Sequence, residues 1–357
     1  MPDIAEIPDI AEIEVIAPHF KRRLSGVTST VIQLVPRQVE AGVRIATLGP
    51  GLPGHLPRVG FLDLLKCWKR PTNGRPRIWH ARRNNEMVVG VLLRDLLCMP
   101  FRLIFTSAGQ RKHTRFTKWL IRRMDQVVAT SARSGSFLDV SHTVVMHGID
   151  TTLFHPPEND ADRFSAAGLP GRYAIGCSGR VRHQKGTDLF VDAMVALLPK
   201  YPDWTAVITG WIAPEHQGYA DDLKAKVAKA GLSQRVVFLG EVDDVKIWYR
   251  RFSLFVAPSR NEGFGLTPLE AMASRTAVVT SDAGAYAEMV LPDETGMVVA
   301  AGDGEALRRA IEPYLADPAL AERHGENALA HVRKAFDIGN EVDGLNRVYA
   351  AALSSGR

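Results

Sequence analysis

The chain predicts an α/β protein of two domains, each built on a doubly wound parallel sheet. Three observations lead there. Its 357 residues exceed what one hydrophobic core usually serves, since single cores stop growing at roughly 250–300 residues. Short apolar runs bounded by turn residues alternate with longer amphipathic stretches over the whole length, as expected for strands covered on both faces by crossover helices. Between the two halves, turn residues and prolines cluster from His147-Gly148-Ile149-Asp150 through Pro156-Pro157 to about Gly168, which reads as a linker.

The first domain is expected over residues 1–160. Its hexapeptide Pro2-Asp3-Ile4-Ala5-Glu6-Ile7 repeats at once as Pro8-Asp9-Ile10-Ala11-Glu12-Ile13; two copies make no solenoid, and the first reads as an extension. A strand over 12–17, a basic glycine-ended loop over 21–26 and a helix over 27–38 follow. Strands at 43–48, 77–81, 103–107, 126–130 and 143–146 are expected, with helices at 61–68 and 84–98. The second domain, 161–338, repeats the alternation. Its strands fall at 174–178, 205–210, 236–239, 254–257, 277–280 and 296–299, and its helices include 186–198, 219–230 and 304–316. A final helix is expected at 339–353. Two such sheets facing each other would put their ligand edges across a cleft.

Composition narrows the function classes. With 46% apolar and 23% charged residues, the chain is globular rather than disordered. Cys67, Cys98 and Cys177 are odd in number and widely spaced, which excludes a disulfide or zinc framework and predicts reduced thiols. The acidic start has no basic segment leading into an apolar core, so no secretory signal is expected. Residues 87–106 are apolar but broken by Arg94, Asp95, Pro100 and Arg102, so a membrane span is not expected, and any membrane contact would be peripheral.

Charge is distributed unevenly. Residues 1–150 hold 22 Lys and Arg against 12 Asp and Glu, whereas residues 151–357 hold 22 against 27. The densest basic cluster is Arg111, Lys112, Arg115, Lys118, Arg122 and Arg123, with Phe116, Trp119, Leu120 and Met124 at helical offsets. Such a segment can lie on anionic lipid or hold a phosphorylated acceptor; it can equally turn its apolar stripe to the core and solvate its basic back. No nucleic-acid recognition motif accompanies the charge.

The most informative stretch is Arg260-Asn261-Glu262-Gly263-Phe264-Gly265-Leu266-Thr267-Pro268-Leu269-Glu270. It follows an apolar strand closed by Pro258. Gly263 and Gly265 allow close backbone approach to a ligand. Thr267 and Pro268 read as N-cap and first helical residue, which aims free N–H groups at whatever lies over the glycines. Glu262 and Glu270 suit sugar or ribose hydroxyls. Glu270 also fits a capping box with Thr267, and both readings stand at this point. A second segment, Gly179-Arg180 through Lys185-Gly186, joins another strand to another helix and offers a planar fork and a point charge to phosphate.

These two motifs together resemble the retaining glycosyltransferases of family 4, whose GT-B architecture pairs two Rossmann-like domains. The resemblance covers nearly the whole chain and is most specific over about 173–300. It implies that Arg180 and Lys185 hold the donor diphosphate beside Gly179, that Glu270 binds the ribose, and that Glu262 with the backbone of Gly263, Phe264, Gly265 and Leu266 holds the transferred sugar. Ile13-Glu14-Val15-Ile16-Ala17-Pro18, residues 21–30 and residues 109–120 look like the lipopolysaccharide core mannosyltransferases of rhizobia and their relatives. That implies GDP-mannose as donor, a lipid-linked Kdo acceptor, and a place on the inner face of the cytoplasmic membrane. The family also implies that helix 339–357 crosses back onto the first domain.

A diphosphate leaving group needs its charge neutralised. Asp221-Asp222 and Asp243-Asp244 are not an Asp-x-Asp pair, so fixed cations and helix N–H groups are expected to serve, without a metal or other cofactor. Gly26, in Ser25-Gly26-Val27, is expected to approach the diphosphate or acceptor from the first domain. Where many relatives carry a histidine, Ser107-Ala108-Gly109 stands here. His113 and His80 are the candidates for that role, with Arg111 and Lys112 near the acceptor. The donor motifs choose neither the base nor the hexose, so a UDP-hexose enzyme remains open. A nucleotide-sugar binder or an anionic-surface binder without turnover is the alternative outside enzymes.

Overall fold

The computed structural model describes residues 9–21 and 26–354. The first hexapeptide copy and Ser25 lie outside the described residues. The described chain divides into two units: residues up to Gly148 with those from Ile338 onward, and Ile149 to Asp337.

In the first unit, β1 (Val15–Pro18), β2 (Ile45–Leu48), β3 (Arg58–Val59), β4 (Arg77–Ala81), β5 (Phe101–Ser107), β6 (Gln126–Ala129) and β7 (Thr143–Val144) form one parallel sheet in the order β3-β2-β1-β4-β5-β6-β7. Side chains alternate between two cores, as the two-residue strand period requires. Ile16, Trp79, Leu103 and Phe105 face α2 (Asn84–Val91) and α3 (Arg115–Ile121). Val15, Ala17, Ile78 and Ile104 face α1 (Gly26–Glu40) and the last helix described, Ile338–Ser354; a single turn, α4 (Ala132–Gly135), follows β6. Arg77 is buried within the sheet and donates to the carbonyls of Ile13 at 2.8 Å and Ile10 at 2.9 Å, which ties the second hexapeptide copy to the sheet.

The second unit carries β8 (Tyr173–Ser178), β9 (Trp204–Thr209), β10 (Val236–Gly240), β11 (Leu254–Ala257), β12 (Ala277–Ser281) and β13 (Gly296–Val299), parallel in the order β10-β9-β8-β11-β12-β13. One face packs on α5 (Thr187–Leu197), α6 (Gln217–Lys229) and α10 (Gly304–Ala316) through Phe190, Met194, Leu223 and Ile311. The other carries α7 (Val245–Arg251), α8 (Thr267–Ala273), the single turn α9 (Tyr286–Met289) and α11 (Pro318–Ala335). In both units strand order reverses between two neighbours, β1/β4 and β8/β11. Ligands of open parallel sheets bind outside the carboxyl ends at that switch point.

Several expectations change in detail. The first strand begins at Val15 rather than at residue 12, because residues 10–12 form a turn in which Glu12 N donates to Asp9 O at 2.9 Å. The helix expected over 84–98 stops at Val91 and continues as a π-turn over Leu92–Leu96, ending where Cys98 takes a positive φ of 53°. Segment 61–68 is a 3₁₀-helix. α11 was not expected, although Asp317-Pro318 is a helix-start signal; the Asp317 carboxylate accepts from Ala319 N at 3.0 Å. The linker residues are also firmly held in the second unit. Ile149 N donates to Phe336 O at 2.8 Å, the Phe154 ring lies 6.0 Å from that of Tyr249, and Asp162 pairs with Arg250 at 3.1 Å.

Candidate active site

The two motifs follow β8 and β11, the strands that flank the switch point of the second unit. Their loops are locked together. Arg260 N donates to Gln184 O at 2.8 Å. The Arg260 guanidinium makes a fork to both Asp188 oxygens, each at 2.7 Å, and also donates to His183 O at 2.8 Å. Asp188 accepts further from Tyr219 OH at 2.9 Å. Burial acts against ionised Asp188, but Arg260 and Tyr219 outweigh it and hold the carboxyl below its ordinary range. Gly186 lies at φ +70°, and a Cβ there would fall 2.0 Å from Pro258 O. No side chain fits between the start of α5 and the end of β11, so glycine sets this close approach.

Inside this frame Lys185 Nζ donates to Glu262 Oε2, and the two side chains are 19% and 18% exposed. Tyr286 OH reaches the same oxygen at 3.5 Å, and Gly263 N donates to Oε1 at 3.2 Å. Burial works against the Lys185 ammonium, but Tyr286 and Glu262 outweigh it and hold its pKa above the ordinary value. Burial, then Glu262, pushes the Tyr286 phenol up to about 12. Gly265, at φ +87°, leaves the space that a Cβ would take from the Tyr286 ring, 2.4 Å away.

Glu270 has a different partner from the capping box. The N-cap of α8 is Leu266, without a side-chain cap bond, so Thr267 is the first helical residue rather than the cap. Glu270 Oε2 accepts from Tyr249 OH at 2.7 Å. Burial raises the Glu270 carboxyl above its ordinary value, against the opposing pull of the Tyr249 hydrogen bond and Lys185. Gly179 N donates to Thr209 O at 2.9 Å, and the guanidinium of Arg180 lies 5.8 Å from the centre of the Trp211 ring. Phe264 is buried, and its carbonyl accepts from Ala285 N at 3.1 Å. Gly179, Arg180, Lys185, Glu262, Gly263, Phe264, Gly265, Leu266 and Glu270 thus share one sheet edge: two cations, of which Arg180 is exposed, and two carboxylates in a partly enclosed, glycine-lined corner.

The family described as glycosyl transferases group 1 matches residues 158–331. The lipopolysaccharide core biosynthesis mannosyltransferase LpcC of Rhizobium leguminosarum bv. viciae is 64% identical over 351 residues, spanning 98% of this chain and 100% of that protein. The chain belongs to the group 1 glycosyl transferases. A second relative, the lipopolysaccharide core biosynthesis mannosyltransferase LpsB of Rhizobium meliloti (strain 1021), is 53% identical over 97% of this chain and 99% of its own length. Among solved structures, the C-terminal domain of LpcC from Francisella tularensis is 36% identical, covers 53% of this chain and 99% of its own, and gives a TM-score of 0.51. Anabaena Alr3699/HepE in complex with UDP gives a TM-score of 0.82 over 95% of this chain and 100% of its own at 19% identity, a likeness of fold.

The first unit of this glycosyl transferase presents a different picture. Gly26 opens α1. His80 does not stand on an open edge: it is 0% exposed, with Nδ1 2.8 Å from Tyr349 OH and Nε2 2.7 Å from Thr106 Oγ1. Burial, then Arg82 and His147, depresses it well below its ordinary pKa. His80 therefore fastens the last helix to the sheet, and its expected acceptor role is corrected. Arg111 and Lys112 are exposed and His113 is partly buried. At or just beyond the carboxyl ends of β5 and β6, Ser107 Oγ, Gln110 Nε2, His113 Nε2 and Thr130 Oγ1 are buried without a hydrogen-bond partner among the described residues. Ser107 and Thr130 are adjacent across the carboxyl ends of β5 and β6, where Thr130 N donates to Ser107 O at 3.1 Å.

Sequence reasoning missed Tyr286, Tyr249 and Asp188 in the second unit, and His19 in the first. His19 follows β1, is 1% exposed, and has Nε2 3.0 Å from Thr28 Oγ1. Only Asp188 carried a readable signal, three residues after Lys185 in the first turn of a helix. Asp221, Asp222, Asp243 and Asp244 are all exposed, and Asp244 caps α7 by accepting from Lys246 N at 2.9 Å.

Proposed function

We propose that this glycosyltransferase moves mannose from GDP-mannose to a Kdo-bearing inner-core acceptor of lipopolysaccharide, with retention of configuration and without a metal. The observation that carries the mannose and core-synthesis assignment is full-length 64% identity to a protein named a lipopolysaccharide core biosynthesis mannosyltransferase. The donor corner supports the chemistry. Lys185 and Arg180 neutralise the leaving diphosphate, Glu262 accepts from hydroxyls of the sugar, and Glu270 accepts from the ribose. In the reaction the bond from C1 to the diphosphate oxygen breaks. The acceptor hydroxyl oxygen bonds to C1 on the same face, and its proton passes to the departing phosphate. The Lys185–Glu262 pair holds both groups in place until donor arrives, so each is pre-oriented toward one end of the substrate.

The acceptor side draws support from Gln110 and His113, partly exposed residues beyond β5 that each keep a nitrogen without a hydrogen-bond partner among the described residues, which suits a polyhydroxylated, carboxylate-bearing sugar. The lipid-linked nature of such an acceptor fits an exposed apolar belt on the first unit. Leu62 is 80% and Leu96 71% exposed, and Phe61, Leu65, Phe116 and Trp119 are exposed beside them. Trp68 Nε1 donates to Leu97 O at 2.8 Å, which joins the 3₁₀-helix to the π-turn. Arg94 donates to Arg123 O at 2.8 Å, which joins the π-turn to the end of α3. With Arg111, Lys112, Arg115 and Arg122 exposed nearby, this belt fits the surface of an anionic bilayer. No helix among the described residues is long and apolar enough to cross a membrane.

The test is a donor panel of GDP-mannose, UDP-glucose, UDP-galactose and UDP-N-acetylglucosamine with a Kdo-lipid acceptor, with and without chelator. Transfer from GDP-mannose that survives chelation is expected. Transfer from a UDP-sugar alone would sink the mannose assignment, and loss with chelator would sink the metal-free chemistry. Co-sedimentation with vesicles containing anionic lipid, and not with neutral vesicles, is the expected membrane result.

A further inference from the structure

The second unit holds a cavity of about 490 Å³ away from the donor corner. It lies at the amino ends of the strands. Arg172 and Tyr173 open β8, Ser253 precedes β11 and Arg275 precedes β12, and all four line it. The donor motifs leave the carboxyl ends of the same strands. Six residues of β8 separate the two places by roughly 20 Å at about 3.3 Å per residue.

The lining is cationic. Arg163, Arg172, Arg250, Arg251 and Arg275 face one carboxylate, Glu322, in a half of the chain that is acidic overall. Three of these arginines have acidic partners outside the lining: Arg163 with Asp160 at 3.2 Å, Arg250 with Asp162 at 3.1 Å and Arg275 with Glu326 at 3.1 Å. Arg172 lies over the Tyr173 ring at 5.6 Å. Arg251 lies over Trp248 at 5.2 Å, donates to Ala161 O at 2.9 Å, and keeps a buried Nε with no acceptor. Burial lowers the Arg251 pKa; Asp162 offsets this in part and Arg250 adds to it. The amino end of α11 reaches the cavity through Pro318 and Ala319, but Asp317 already caps it, so the arginines carry the local charge.

Asp160, Asp162 and Glu326 balance three of the five guanidinium groups, so the excess charge around this volume rests on Arg172 and Arg251, at a cost in repulsion and desolvation. An anion with several oxygens relieves both, and planar forks match phosphate oxygens two at a time. The volume suits a small metabolite. We infer that this cavity is a second binding site of the enzyme, for a small molecule carrying a diphosphate or two phosphate groups, distinct from the donor corner. The inference stands on the cavity alone and does not depend on the proposed donor or acceptor.

The test is calorimetric titration of the full-length protein with inorganic pyrophosphate at fixed ionic strength. Three proteins are compared: the unsubstituted enzyme, Lys185→Ala, and the double variant Arg172→Ala/Arg275→Ala. Both of those arginines are exposed, so the double variant should fold, and its melting temperature checks this. A binding event that persists in Lys185→Ala and weakens at least tenfold in the folded double variant is expected. Orthophosphate should bind the same site more weakly. Binding unchanged in the double variant, binding abolished by Lys185→Ala alone, or no binding to any protein would each overturn the proposal. Transfer activity measured in parallel separates this outcome from failure of the donor assignment, which would appear as full activity in Lys185→Ala.

Discussion

The carboxyl edges of the two sheets solve the same problem in opposite ways. In the second unit the carboxylates are already paired, Glu262 with Lys185, Asp188 with Arg260 and Glu270 with Tyr249, and the buried atoms left over at this edge are Arg182 Nε and Thr280 Oγ1. In the first unit Ser107, Gln110, His113 and Thr130 keep buried polar atoms unpartnered, while His80 is fully used by Tyr349 and Thr106. One edge is assembled before substrate arrives; the other leaves hydrogen bonds to be completed. Prepaired charge suits a constant, highly charged ligand such as a nucleotide diphosphate, since little reorganisation remains at the moment of reaction. Unfilled neutral donors and acceptors suit selection among sugars, because a ligand lacking the matching group leaves them unpaired.

The comparison breaks first at Lys185. Lys185→Ala should lower turnover about 100-fold, the order of losing one preorganised electrostatic contact, as read from steady-state transfer. Near-normal turnover would mean that the pair is only structural. Arg260→Ala should have a smaller effect, about tenfold in kcat/KM, because it unfastens the two loops without touching the chemistry; unaltered kinetics would show that the loops hold without the clamp.

The first-unit edge sharpens the comparison. Ser107→Ala and Thr130→Val remove unpaired buried groups, so stability should stay within about 0.5 kcal/mol or improve. Gln110→Ala, at a partly exposed position beyond β5, should raise KM for acceptor several-fold while KM for donor does not move. A rise in donor KM would reverse the assignment of the two edges.

The smallest effect is thermodynamic. Glu270 is held above its ordinary value of 4.5 by burial, so the folded state keeps that proton longer than the unfolded chain does. Stability therefore falls as pH rises through that window, and ionised Glu270 is a standing cost above it. Glu270→Gln keeps an acceptor for Tyr249 and removes the charge. Its melting temperature should exceed the parent's by about 2 °C at pH 7–8, with the gain shrinking as pH falls toward 4.5. A lower melting temperature at pH 7 would mean that the carboxylate is stabilising there.

The fold was legible because parallel sheets buried on both faces write continuous apolar runs, and most runs here are punctuated by glycine or proline. Gly179 through Lys185 and Glu262 through Glu270 were legible for the same local reason: turn chemistry sits next to charge. Their contact was not, since Lys185 and Glu262 meet across 77 residues only once β8 and β11 are neighbours. Tyr249 and Tyr286 gave no signal because a tyrosine within apolar sequence reads as core until its hydroxyl finds a carboxylate. His80 was misplaced because strand sequence does not reveal that Tyr349, 269 residues away, closes over it. Leu92 and Leu96 fit a helical stripe in sequence, yet the π-turn leaves both exposed. Distant pairing and exposure of apolar side chains are tertiary properties, and both mattered most at the donor corner and the exposed apolar belt.

The central claim is that the prepaired corner of the second unit is the sugar-nucleotide site. Calorimetric titration of GDP-mannose into the parent enzyme, Lys185→Ala, Glu262→Ala and the double variant tests it most directly. Each single variant should bind at least tenfold more weakly, with the double variant losing less than the two effects combined, because the partners act as one unit. Parent-like affinity in both single variants would contradict the account.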